Sequence, residues 1–66
     1  MTHEEQMKLL TKAQENNDEL IEISYKLMEI AKKREDEATY NQVSDDVKFL
    51  IQLKEKFTNE QMRLEK

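Results

Sequence analysis

The chain has 66 residues, a formal net charge of −4, and no glycine, proline or cysteine. One small domain is all this length allows, and without cysteine or a Cys/His cluster neither disulfides nor a structural metal can staple it. An acidic chain lacks the basic footprint that nucleic acid requires, and it is unsuited to docking on an anionic membrane surface.

Compact domains of this size spend Gly and Pro on turns, so their absence predicts few turns and long helices. Good helix formers (Glu, Lys, Leu, Met, Gln, Ala) fill much of the sequence. No period-2 run of strand formers occurs. The expected fold is all-α: one antiparallel two-helix hairpin, coiled-coil-like, occupying residues 1–66. The alternative is three short helices.

Helix 1 is predicted over about residues 3–34. Thr2-His3-Glu4-Glu5 fits a capping box, in which the Thr2 hydroxyl accepts from the amide three residues on and Glu5 reaches back. Glu4/Lys8, Glu22/Lys26 and Glu29/Lys33 are favourable i,i+4 pairs. The weak stretch is Asn16-Asn17-Asp18, whose side chains compete for backbone hydrogen bonds. A break there gives the three-helix alternative.

The boundary between helices is electrostatic. Lys32-Lys33-Arg34 suits the negative end of one helix, and Glu35-Asp36-Glu37 suits the positive start of the next. Asp36 is a candidate N-cap, and Thr39 with Gln42 is a second. Helix 2 is predicted over about residues 37–63, fraying near Lys66. A single continuous helix would leave its apolar surface uncovered, and the spacing does not read as the sustained heptad of a long coiled coil.

In helix 2, Val43, Val47, Leu50, Phe57 and Leu64 form a stripe that Lys54 and Gln61 interrupt. Leu53 and Phe49 widen it on one side; Tyr40, Ile51 and Met62 widen it on the other. Helix 1 carries a row of Leu20, Ile23, Leu27 and Ile30, and beside it a second row of Met7, Leu10, Ile21 and Met28, flanked by Tyr25. These arcs are wider than the ~100° that one neighbouring helix covers. Surplus apolar surface marks an interaction site. Met7, Leu10, Ile21, Tyr25, Met28, Tyr40, Ile51 and Met62 are therefore the candidate partner-binding residues, served by a homodimeric bundle or by a different protein.

Residues for chemistry are scarce. His3, the only histidine, sits in the first turn without convergent partners. No Cys nucleophile, phosphate loop or nucleophile elbow is present. Paired acids such as Glu4-Glu5 and Asp45-Asp46 read as solvated faces in a chain with 15 acids. The expectation is a protein that is not an enzyme, with no catalytic, metal or cofactor-binding residues. The longest apolar run, Phe49-Leu50-Ile51, is far short of a membrane span. The first residues lack a secretory signal's basic and apolar regions. A cytoplasmic location is the expectation.

Three places in the chain resemble the YscE-type co-chaperones of type III secretion needle subunits. The opening Met1-Thr2-His3-Glu4-Glu5-Gln6-Met7 resembles that family's Met-Thr-x-Leu-Glu-Glu-Gln-Leu, less one residue. The junction runs from basic to polar at the corresponding point. Helix 2 opens Ala38-Thr39-Tyr40-Asn41-Gln42-Val43 and continues to Lys48-Phe49-Leu50, with Tyr40 and Leu50 at the family's aromatic and aliphatic positions. A Gly pair found at the turn in some members is replaced by Arg34-Glu35-Asp36. The resemblance implies a short helical hairpin that binds a tetratricopeptide-like co-chaperone. Through it, the needle subunit is kept unpolymerised in the bacterial cytoplasm. The alternative, from the apolar surface alone, is a homodimeric four-helix-bundle regulator or phage-type inhibitor.

Overall fold

The computed structural model describes residues 2–65. It contains two helices, α1 (His3–Lys33) and α2 (Glu37–Glu65), folded into an antiparallel hairpin. The overall dimensions are 48 × 15 × 14 Å. The long dimension matches the ~1.5 Å rise per residue of a single straight α1. Helix α1 runs without interruption through Asn16-Asn17-Asp18, so the three-helix alternative does not hold. The fraying expected near Lys66 lies outside the described residues.

Each boundary has a local cause. Thr2 is extended, and its hydroxyl accepts from the Glu5 amide at 3.1 Å. This satisfies one of the amides that a helix start leaves without an intrahelical partner. Glu4 and Glu5 occupy the first turn of α1, and Lys32 and Lys33 its last, both favourable to the helix dipole.

The turn is tight and does two jobs. The Glu35 amide donates to the Lys32 carbonyl at 3.1 Å, and the Asp36 amide donates to the Ala31 carbonyl at 2.8 Å. That pair of bonds is the Schellman arrangement, which needs a left-handed residue at its centre. Glu35 supplies it, with φ of 57°. Asp36 then caps α2: its Oδ1 accepts from the Thr39 amide at 3.2 Å and its carbonyl from the Tyr40 amide at 3.1 Å. Of the two cap candidates, Asp36 is the one used. Hydrogen bonds from the Thr39 hydroxyl and amide hold its carboxyl below the usual carboxylate range.

The seam between the helices follows alternating steps of three and four. In α1 it runs Met7, Leu10, Gln14, Asn17, Ile21, Ser24, Met28, Ala31. In α2 it runs Tyr40, Val43, Val47, Leu50, Lys54, Phe57, Gln61, Leu64. All of these except Lys54 are buried or half-buried. This is a heptad seam sustained along the whole hairpin, and it corrects the expectation that no such repeat exists. Polar residues at five of its positions conceal it.

Three cross-helix contacts set the register. Asn17 Nδ2 donates to the Leu50 carbonyl at 3.0 Å, Gln14 Nε2 donates to Gln61 Oε1 at 2.9 Å, and Lys54 Nζ lies 3.0 Å from Asp18 Oδ1. In that register Ala31 lies level with Tyr40, Met28 with Val43, Ser24 with Val47 and Ile21 with Leu50. Beyond these come Asn17 with Lys54, Gln14 with Phe57, Leu10 with Gln61 and Met7 with Leu64. Apart from Ser24, the layers beside the turn are apolar, while polar residues recur from Asn17–Lys54 to Leu10–Gln61, before the terminal Met7–Leu64 layer.

The core is thin. Among the described residues only Ala31 and Val47 are buried apolar residues, at 4 % and 5 % exposure, joined by Asn17 at 3 %. The chain exposes 5552 Å². A compact monomer of 8.0 kDa would expose roughly 4,450 Å². Two helices side by side leave about a quarter more surface in water than a folded chain of this mass normally does.

Candidate protein-interaction surface

The excess surface is not spread evenly. Both helices are right-handed and they run antiparallel. The residue just before each seam position therefore falls on the same face of the hairpin in α1 and in α2. On α1 that face presents Leu9, Leu20, Ile23, Leu27 and Ile30. The last four, the first of the two rows seen in the sequence, are between 45 % and 54 % exposed. On α2 the same face presents Phe49, which is exposed, with half-buried Leu53, Phe57 and Leu64 at its inner edge. Leu9 and Leu64 line one shallow depression at the open end.

This arrangement reverses one expectation about α1. Met7, Leu10, Ile21 and Met28, read as an outward row, are half-buried along the seam, as is Tyr40. The stronger row of Leu20, Ile23, Leu27 and Ile30 faces water instead. The turn decides between them. Bonding the Asp36 amide to the Ala31 carbonyl fixes the rotation of α1 where it meets α2. Ala31 is turned inward, and the residues at heptad spacing before it follow.

The remaining candidates, Tyr25, Ile51 and Met62, are exposed, on the face opposite the aliphatic row. Tyr25, Met28 and Tyr40 line a groove near the turn, rimmed by Glu22, Lys26, Glu29 and Lys32. The eight sequence-derived candidates therefore do not form one surface. Five belong to the seam and three to a sparser face.

Two functional features escaped the sequence reading. The first is the facing of the Leu20–Ile30 row. The second is the buried Asn17, whose Nδ2 serves the Leu50 carbonyl while its Oδ1 has no partner among the described residues. The signal for Asn17 was present: it stands at heptad spacing between Leu10, Gln14, Ile21 and Ser24. An amide at such a position trades stability for a single register.

Electrostatics along the hairpin are those of a solvated surface. Lys26 lies 3.5 Å from Glu22 and Lys48 4.0 Å from Asp45, with all four side chains mostly exposed. Such pairs are worth little. Glu60 and Arg63 also pair, and the guanidinium holds the Glu60 carboxyl below its ordinary range. His3 opens α1 and is exposed. Among the described residues, no group of three or more His, Cys, Asp or Glu is placed to hold a metal ion. Among the described residues no helix is long and apolar enough to cross a membrane.

Comparison with known proteins returns no match. No family model fits the chain, and no curated protein or solved structure is significantly similar to it.

Proposed function

We propose that the chain is a non-catalytic protein-binding subunit, a co-chaperone of the YscE type. In this reading it works in the bacterial cytoplasm on a tetratricopeptide-like partner. Through that partner it keeps a type III secretion needle subunit soluble and unpolymerised. The observation that carries the binding half is the aliphatic row Leu20, Ile23, Leu27, Ile30. It is regular, contiguous and left in water by a hairpin that already exposes excess surface. Grooves in helical-repeat proteins accept an amphipathic helix through anchors at this spacing. The named partner is supported by the resemblance of the opening, the junction and the start of α2.

The test is co-expression with a tetratricopeptide-type secretion chaperone and a type III needle subunit from the same genome. The expected product is a soluble complex of the three chains that survives size-exclusion chromatography. Leu27→Glu removes this chain from the complex, whereas Met62→Glu on the opposite face leaves it in place. Recovery of the two secretion proteins without this chain would end the co-chaperone reading.

A second reading is self-assembly. The same row has the three-four spacing with which a helix packs against another helix, so it suits a four-helix bundle as well as a repeat groove.

A further inference from the structure

We infer that, before a partner takes it, the aliphatic face is covered by a second copy of this chain. In that pair, α1 of each copy lies against α2 of the other, with both turns at the same end. This deepens the self-assembly reading and rests on it.

The area argument comes first. The hairpin exposes about 1,100 Å² more than a compact monomer of its mass. A stable interface removes ~800 Å² from each partner. One face-to-face contact is therefore of the size needed to cover the excess.

Charge then selects the copy and its orientation. Two hairpins stacked on this face have two symmetric arrangements. In one, α1 faces the other copy's α1, running oppositely. With the hairpins in full overlap, this sets Lys12 near Lys26 of the other copy, and Glu19 near its own counterpart. Like charges meet at both places. In the other arrangement, α1 faces α2 of the other copy at the same levels as within one hairpin. Lys26 then comes level with Asp46, and Lys12 with Glu60. Opposite charges meet at these two places, each contact occurring twice by symmetry, and they outweigh the more offset approach of Lys56 to Lys12. The apolar residues agree with this choice. Leu20 and Ile23 meet Phe49, Leu50 and Leu53, Leu27 meets Val43, and the bulk of Phe57 meets small Ala13. Within its own chain Asp46 has no ion-pair partner among the described residues, and the Lys26–Glu22 pair it would replace is mostly exposed.

The experiment uses the isolated full chain, with native mass spectrometry and sedimentation equilibrium across a hundredfold range of concentration. A dimer is expected. Leu27→Glu should weaken it by at least ~10-fold in dissociation constant. Lys26→Asp and Asp46→Lys should each weaken it, and the double charge exchange should restore it. That restoration is specific to α1 against α2 and does not depend on any single variant folding well. A monomer at all concentrations overturns the inference, as does a dimer indifferent to Leu27→Glu. So does a dimer in which the double exchange is no tighter than either single one. Binding of the tetratricopeptide-type partner is measured separately. A chain that binds the partner but stays monomeric sinks only the dimer, and a dimer without affinity for the partner sinks only the co-chaperone reading.

Discussion

Replacing Glu35 with glycine should stabilise the hairpin. Glu35 holds φ of 57°, where an L-residue brings its Cβ too close to the following carbonyl, at a cost of roughly 1–2 kcal/mol. The turn imposes that angle, because both bonds that close it depend on the left-handed residue: Glu35 to Lys32 and Asp36 to Ala31. Glycine adopts the same angle freely but loses more chain entropy on folding, about 0.5–1 kcal/mol. The difference leaves a gain of about 0.5–1 kcal/mol for Glu35→Gly. In a chain this short that raises Tm by roughly 2–8 °C. Charge contributes little to the change, since Glu35 lies between the negative end of α1 and the positive start of α2, where the two dipole effects oppose. The assay is thermal unfolding followed by far-ultraviolet circular dichroism at one fixed protein concentration. Glu35→Ala serves as the control, since it removes the carboxylate but keeps a Cβ in the left-handed region. If Glu35→Gly melts no higher than Glu35→Ala, strain at this residue does not limit stability and the reasoning fails.

Other expectations follow from single contacts. Thr2→Ala removes the acceptor for the Glu5 amide and should cost about 1 kcal/mol, with faster hydrogen exchange confined to the first turn of α1. Asn17→Leu deletes a buried oxygen that has no partner among the described residues and adds apolar contact. It should raise the unfolding free energy by ~1 kcal/mol, read as a higher denaturation midpoint. It should also broaden amide resonances near Leu50 as the helices sample more than one register. Asp36 has a carboxyl pKa lowered in the folded state by the Thr39 hydroxyl and amide. Its contribution is therefore fully present above the unfolded value, near pH 4, and is lost as pH falls through the lower folded value. Asp36→Asn keeps a capping oxygen but no titration, so the gap in stability between the two chains should close on acidification. A gap that stays constant from pH 6 to pH 2 would contradict the assignment.

The features legible in the sequence are those decided within a few residues. Thr2 marks the start of α1 because a cap acts on the next turn. The change from Lys32-Lys33-Arg34 to Glu35-Asp36-Glu37 marks the turn because helix dipoles act on the nearest charges. The direction in which α1 faces was not legible by the same means. Ranking rows by hydrophobicity picks Leu20, Ile23, Leu27 and Ile30 for the inside, but the phase of α1 is set at Ala31 by the turn. The row that the turn brings inward carries Gln14, Asn17 and Ser24, so its repeat is visible only when polar residues are allowed at heptad positions. The propensity of Asn16-Asn17-Asp18 to break a helix is overridden for a related reason. Asn17 and Asp18 each find a partner on α2, which compensates for their poor helix preference.

The order of layers along the hairpin also governs how it forms and opens. Ala31 and Tyr40 are joined by a short loop, whereas Met7 and Leu64 are separated by nearly the whole chain. Contacts beside the turn therefore cost the least closure entropy and are made first. The apolar layers lie on that side, so the first contacts are also the strongest. Assembly proceeds like a zipper from the turn toward the termini, and each layer shortens the loop that the next must close. Opening runs the other way, from the Met7–Leu64 layer at the termini into the stretch where Gln14, Asn17, Lys54 and Gln61 hold the helices together with polar bonds that water can replace.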